Sequence, residues 1–220
     1  MLLGRPDSLL YLTRSGFKFF SKNFPKGITL SIPHNVINDL EIVDQDKLRE
    51  QIEAYVLENK LTPSSAAILL SEEIIFSKNI SLDIKKQNIE VREFLDEVPF
   101  DSKELVYQVK TGIKNSLVMA TNSQLFLSIK NILESKGWRI ELVVSDVGEV
   151  PTAANWLKVF NKVLKFSHYN FLKNINILSD IPVTVSPATP RRRWLLWTFV
   201  LLVLVTLAIA AILYFKIKLK

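Results

Sequence analysis

The sequence predicts an α/β domain followed by one transmembrane helix, and three observations lead to this prediction. Segments with the apolar pattern of strands alternate with segments of helical periodicity, roughly in the order β-β-β-α-β-β-α-β-β-α-β. Residues 194–215 form an apolar run without a charged residue, proline or glycine. A short polar stretch with three prolines separates these two parts of the chain.

The chain therefore divides into five predicted parts. They are an α/β head (1–148), an amphipathic helix with a strand or linker that packs on the head (149–180), a proline-rich spacer (181–193), a transmembrane helix (194–215) and a short basic tail (216–220). The head is long enough to bury a substantial core.

The head is predicted to begin with three strands and a helix. Two apolar runs in SLLYLTRSGFKFF flank a turn at Ser15-Gly16, the pattern of a β-hairpin, and GITLSIP (27–33) supplies the third strand. The helix follows Asp44 or Asp46, either of which can cap it. Its apolar face is formed by Leu48, Ile52, Tyr55 and Val56.

The sequence of the rest of the head predicts further strands and two helices. The continuous apolar run Ala66–Leu70 is typical of a central strand covered on both faces, and a second short run is Ile74–Phe76. A helix before Pro99 and a hairpin that turns at Gly112 come next, and a second helix starts at Ser123 before the strand RIELVVSDV. The apolar residues of the first of these helices are Ile89, Val91, Phe94 and Leu95. Those of the second are Leu125, Phe126, Ile129, Ile132 and Leu133, and Gly137 is its predicted C-cap.

The segment after residue 153 predicts an amphipathic helix with a basic face. Its apolar side carries Trp156, Val159, Phe160, Val163 and Phe166, and its polar side carries Lys158, Lys162 and Lys165. Such a helix can dock on the sheet with its lysines outward, or lie on an anionic membrane surface. We favour docking on the sheet.

The apolar run 194–215 is long enough to cross a membrane. About 22 residues rising 1.5 Å each span about 33 Å, against a hydrocarbon core of about 30 Å. The aromatic residues at its ends, where such rings favour the headgroup region, are Trp194, Trp197, Tyr214 and Phe215. The flanking basic residues are Arg191, Arg192, Arg193, Lys216, Lys218 and Lys220. A buried helix of a soluble core is disfavoured because the run has no polar face.

The orientation of the span is predicted from the first residues of the chain. MLLGRPDSLLYL lacks the continuous apolar core of a signal peptide, so we expect a cytoplasmic head on a single-pass protein of the inner membrane.

Composition excludes several classes of function. Six of the 28 Lys and Arg residues flank the span, and the 22 that remain equal the number of acids, so the head is formally neutral. This argues against nucleic acid as a partner, because a nucleic-acid-binding protein concentrates its cations on the folded part. The chain has no cysteine, and two isolated histidines, His34 and His168, do not suggest a catalytic or metal site. We expect no catalytic residue, no metal and no cofactor.

Three stretches of the head resemble a known family. SIPHNVINDLEIVDQDKLREQIEAYVLENKL, VPFDSKELVYQV (98–109) and SKGWRIELVVSD are similar, over roughly residues 8–165, to type IV pilus assembly proteins of the PilM kind, which are actin-like and related to FtsA. The resemblance implies the mixed-sheet half of an actin-like (ribonuclease H-like) fold with an inserted strand–helix–strand–strand module. It also implies protein partners in a pilus or secretion assembly.

The sequence departs from that family at the nucleotide site. Actin-like ATPases begin with an Asp-x-Gly turn that cradles phosphate, whereas the hairpin here keeps Gly16 but has Arg14 and no aspartate. The second half of the fold is replaced by a spacer and a span. We therefore expect no useful nucleotide binding.

A second resemblance lies before the span. NINILSDIP (174–182) is similar to the INLLP stretch of PilN proteins, which binds a PilM-like head, and this makes Ile175, Asn176, Ile177 and Leu178 a candidate partner-binding segment. The alternative is an ordinary strand or linker.

Three functional hypotheses follow. The leading one is a non-enzymatic, membrane-anchored scaffold of a type IV pilus or related secretion assembly, which binds protein partners and can form a homo-oligomer. The alternative is a degenerate actin-like nucleotide-binding protein that needs a partner to complete its site. In the third, the span itself associates side by side, but its only small-residue cluster is AIAA.

Overall fold

A computed structural model describes residues 6–145, 148–165 and 170–173, all of which belong to one compact unit, 1–180. The strands are β1 (Ser8–Thr13), β2 (Gly16–Phe20), β3 (Ile28–Ser31), β4 (Ile37–Asn38), β5 (Glu41–Ile42), β6 (Ser65–Leu70), β7 (Phe76–Ile80), β8 (Leu105–Thr111), β9 (Ser116–Asn122) and β10 (Arg139–Val144). The helices are α1 (Gln45–Glu58), α2 (Ile84–Glu97), α3 (Ser123–Ser135) and α4 (Trp156–Lys165), with 3₁₀ turns at Glu72–Ile74 and Phe171–Lys173.

The main sheet is mixed and has the order β10-β6-β1-β2-β3. β1, β6 and β10 are parallel to one another, whereas β2 is antiparallel to both of its neighbours, β1 and β3. β6 lies inside the sheet, and its residues 66–70 are all buried, as the continuous apolar run predicts. The mixed α/β architecture predicted from the sequence is therefore confirmed.

Helices cover both faces of this sheet. Because successive side chains of a strand point to opposite faces, Leu10 and Leu12 pack with α1 and α3, while Leu9 packs with α4 on the other face. The apolar faces predicted for α1 and α3 are confirmed, except that Val56 is only partly buried. Helix α4 is docked on the sheet through Trp156 and its other predicted apolar residues up to Val163, as we favoured.

The strands β7, β9 and β8 form a second, antiparallel sheet of three strands. Phe94 of α2 and Val98, the residue after the helix, pack on one face of this sheet. The other face contributes Val106 and Met119 to the core shared with α1 and α3. The element order β7-α2-β8-β9 is the strand–helix–strand–strand order that the sequence resemblance leads us to expect.

Several local predictions were wrong. Ile89 is 60% exposed rather than on the packed face of α2, and the run Ile74–Phe76 is divided between a 3₁₀ turn and the start of β7. The helix predicted to start at Ser123 does so, but its N-cap is Asn122, whose side chain accepts a hydrogen bond from the Gln124 N–H. The first hairpin turns one residue earlier than predicted, and the short hairpin of β4 and β5 was not predicted.

Among the described residues, no helix has the length and apolar character needed to cross a membrane. The predicted spacer, transmembrane helix, basic tail and partner-binding segment 175–178 lie outside these residues.

Candidate functional site

The turn between β1 and β2 is the one that the sequence resemblance aligns with the phosphate loop of actin-like ATPases. Gly16 follows this turn with φ +141°, and a Cβ atom here would lie 2.0 Å from the carbonyl oxygen of Leu30 on β3. The close approach of β3 is therefore enough to require glycine at position 16, and a bound phosphate is not needed to explain it. The Ile32 N–H donates to the Ser15 carbonyl at 2.7 Å and fixes the turn against the chain after β3.

Arg14, in this turn, is surrounded by carboxylates. Its guanidinium forms an ion pair with Asp39, and its backbone N–H donates to Oε2 of Glu73 at 3.4 Å. A phosphate needs free N–H donors and cations, and it would be repelled by two neighbouring carboxylates. We call Arg14, Asp39 and Glu73 the carboxylate latch. The cation that could meet a phosphate, and the amide beside it, are both engaged by acids of the same chain.

Asp39 reaches the latch because of the unpredicted β4–β5 hairpin. Its two-residue turn, Asp39-Leu40, has positive φ at both positions, +48° and +70°, as in a type I′ turn. Aspartate tolerates this conformation, but leucine is disfavoured by about 1–2 kcal/mol. Burial of Leu40, which is 4% exposed, offsets this strain and leaves Asp39 at the surface beside Arg14.

A second surface feature is an apolar groove of about 590 Å³ beside the second half of α1. Leu57 lies in the groove and is 79% exposed, and the Lys136–Glu53 ion pair at 3.0 Å closes one side. The residues that form the groove are Glu53, Ala54, Val56, Leu57, Lys60, Leu61 and Lys136. Their side chains include no serine, threonine, cysteine or histidine, and the apolar ones offer a contact surface to another protein.

Two lysines on the basic face of α4 share one carboxylate. Glu149 pairs with Lys158 at 3.1 Å and also with Lys162, and these hydrogen bonds hold the pKa of Glu149 below its usual value. One of the three positive charges that could have favoured an anionic membrane surface is therefore compensated within the head.

None of the site residues predicted from the sequence lies in the described part of the chain. The anchor residues 194, 197, 214 and 215, the flanking basic residues and the segment 175–178 all fall outside it. Within the described ranges, no group of three or more His, Cys, Asp or Glu residues could hold a metal ion. The sequence reasoning considered Arg14 but missed Asp39 and Glu73. The one available signal was the polar pair Asn38-Asp39 between two apolar residues, which indicates a turn.

No family model matches the chain, and no curated protein matches it. Among solved structures it is similar to a PilM–PilN type IV pilus biogenesis complex, with 15% identity and a TM-score of 0.43 over 64% of this chain and 47% of that chain. It is similar to the cytoplasmic domain of EpsL, an inner membrane component of the type II secretion system of Vibrio cholerae, with 17% identity and a TM-score of 0.37 over 64% and 57%. It is also similar to a Bacteroides thetaiotaomicron protein with an actin-like ATPase fold, with 10% identity and a TM-score of 0.33 over 64% and 52%.

The chain spans about half the length of these solved structures. All three TM-scores lie below 0.5, so we base the proposals below on the chain's own contacts and sequence.

Proposed function

We propose that the chain is a non-enzymatic scaffold, anchored in the cytoplasmic membrane, that binds protein partners of a type IV pilus or related secretion assembly. The observation that carries the proposal is the carboxylate latch. Arg14 pairs with Asp39, and the Arg14 N–H donates to Glu73, at the turn where an ATPase would cradle phosphate. A head whose phosphate site is closed by its own acids is suited to binding proteins rather than to hydrolysing nucleotides.

Two surfaces support a role in binding proteins. The groove beside α1 presents Leu57 to solvent, and an exposed apolar groove of this kind is typical of a protein-interaction site. The β7-α2-β8-β9 module adds a second sheet, whose outer strands β7 and β8 can each accept an extended segment. Anchoring through residues 194–215 would raise the effective concentration of the head for membrane partners.

Calorimetry tests the non-enzymatic part of the proposal. The full chain, purified in a mild detergent, is titrated with ATP in the presence of Mg²⁺ up to millimolar concentration, and we expect no saturable heat. Saturable binding would contradict the proposal. If that binding strengthened with protein concentration, it would support the alternative, a degenerate nucleotide site completed by a second copy.

Site-specific crosslinking in cells tests the scaffold part. A photoreactive residue at Leu57 in the groove is compared with one at Leu157, which is also exposed but lies on α4. We expect crosslinks to pilus or secretion components from position 57 and not from position 157. Equal yields from both positions would mean that the groove has no special role in partner binding.

A further inference from the structure

The strand β10 ends one side of the main sheet and presents backbone groups on its outer edge. It pairs with β6 alone among the described strands. Because the backbone groups of a strand alternate in direction, the carbonyl of Glu141 and the N–H of Val143 point away from β6. These are the groups that a sixth strand would use. A strand edge that nothing covers is a template for pairing with another chain.

Asn170 occupies these groups with its side chain. Its Nδ2 donates to the Glu141 carbonyl at 3.2 Å, and its Oδ1 accepts from the Val143 N–H at 2.9 Å. In a parallel ladder, one peptide residue donates to residue i−1 and accepts from residue i+1 of its neighbour. The Asn170 amide reproduces that pair of bonds around Leu142, so one side chain takes the place of one residue of an added strand.

The residues after Asn170 hold it in position. Its Oδ1 also accepts from the Leu172 N–H at 3.1 Å, and Asn170 itself is 5% exposed. Phe171 is fully buried in the core cluster that contains Val143 of β10 and Val106 of β8. We call residues 170–173 the strap. Phe171 anchors the strap, and Asn170 covers the edge of β10.

Gln108 of β8 is a buried polar residue on the side of the second sheet that faces the core. Gln108 lies two residues after Val106 and therefore on the same face of β8, which borders the strap. It is 4% exposed, and neither atom of its side-chain amide has a hydrogen-bond partner among the described residues.

We propose that the strap is an autoinhibitory clamp that prevents β10 from pairing with β10 of a second copy of this chain. The strand RIELVV is apolar and β-branched, with one charge of each sign, as suits a pairing edge. Arg139 and Glu141 form an ion pair within one chain, so this edge carries no net charge. In an antiparallel pair with Ile140 facing its symmetry mate, Arg139 of each copy also lies opposite Glu141 of the other. The formally neutral head adds no net repulsion between two copies.

Asn170→Ala in the full chain, in a mild detergent, tests the clamp, with Asn59→Ala as the matched control. Asn59 also donates through its side-chain amide to a backbone carbonyl, that of Tyr55 at the end of α1. In Asn170→Ala we expect hydrogen exchange at the Val143 amide to rise by about tenfold or more, with Leu142 and Val144 unchanged because their N–H groups point towards β6. Asn59→Ala should leave all three amides unchanged.

Light scattering supplies the second measurement. We expect Asn170→Ala to associate more strongly than the wild type and Asn59→Ala, and the added charge reversal Arg139→Glu to abolish the difference. The milder Asn170→Asp keeps the acceptor for Val143 and loses the donor to Glu141, so it should give a smaller change in the same direction. A joint rise in exchange at residues 142, 143 and 144 would overturn the clamp, because it reports general destabilisation. An Asn170→Ala chain with the mass of the wild type would overturn pairing between copies.

Discussion

The strained turn that presents Asp39 gives a sharp prediction at Leu40. At most buried positions, replacing leucine by glycine is worse than replacing it by alanine, because glycine has more freedom to lose on folding. Leu40 has φ +70°, where alanine keeps the left-handed penalty and glycine does not. We expect both variants to be destabilised by about 2–4 kcal/mol for the loss of a buried leucine. The glycine variant should be more stable than the alanine variant by about 1 kcal/mol.

Leu48 provides the matched control. It is also fully buried in the core, but it lies in the helix α1, where glycine is less favourable than alanine by about 1 kcal/mol. The free energy of unfolding is measured by urea titration of the full chain in mild detergent, followed by near-ultraviolet circular dichroism. The order of glycine and alanine should be reversed between the two positions. The same order at both would refute the assignment of a strained turn at residues 39–40.

Three further substitutions test individual contacts by the same titration. Tyr55→Phe removes the hydroxyl that donates to the Ile28 carbonyl at 2.9 Å, and it should cost about 1 kcal/mol; no loss would contradict that bond. Gln108→Leu removes a buried amide that has no partner in the described part of the chain, so it should increase stability by about 1 kcal/mol, and a loss would mean that the amide is paired. Glu149 has a pKa lowered by two lysines of α4, so its contribution to stability is present above its ordinary pKa of 4.5 and is lost as the pH falls through the lowered value. Glu149→Gln should flatten the acid side of the stability profile, and an unchanged profile would exclude this contribution.

The burial of elements with long apolar patterns was predictable, because such a pattern shows which face of a helix or strand lies against the core. The stripe of α3 from Leu125 to Leu133 and the continuous run of β6 each require one burial pattern, which the structure has. The docking of α4 also followed from its apolar side. The sequence did not show which acid would pair with the lysines of α4. In the structure this acid is Glu149, which precedes the helix and pairs with Lys158 and Lys162.

Short and long-range features were not predictable. The strands β4 and β5 have two residues each, too few to establish a period, and their turn lacks the glycine that normally indicates a type I′ turn. The latch joins residues separated by 25 and 59 positions, and the strap pairs Asn170 with a strand 27 to 29 residues earlier. Such contacts depend on strand order, which apolar periodicity does not encode. The predictions for residues 174–220 stay predictions.

The exposure of the latch shows what it contributes. With side chains 55% and 72% exposed, the Arg14–Asp39 pair adds at most about 1 kcal/mol to stability, so its main consequence is the charge that it places at the turn. Asp39→Asn removes one carboxylate and keeps a residue that tolerates positive φ, so it leaves the fold intact while Arg14 loses its counterion. We expect Asp39→Asn to remain without saturable binding of ATP and Mg²⁺, because Glu73 still engages the Arg14 N–H and no aspartate stands in the turn to help hold a metal.

Saturable binding of ATP by Asp39→Asn, with none by the wild type, would contradict this expectation. The latch would then be a gate over a surviving nucleotide site, and the proposal of a non-enzymatic scaffold would fail. Asp44→Asn is the control, since it removes a carboxylate at the N-cap of α1 that also pairs with a lysine. Because both variants change the net charge of the chain by the same amount, a response confined to position 39 can be attributed to the turn between β1 and β2 rather than to general electrostatic attraction.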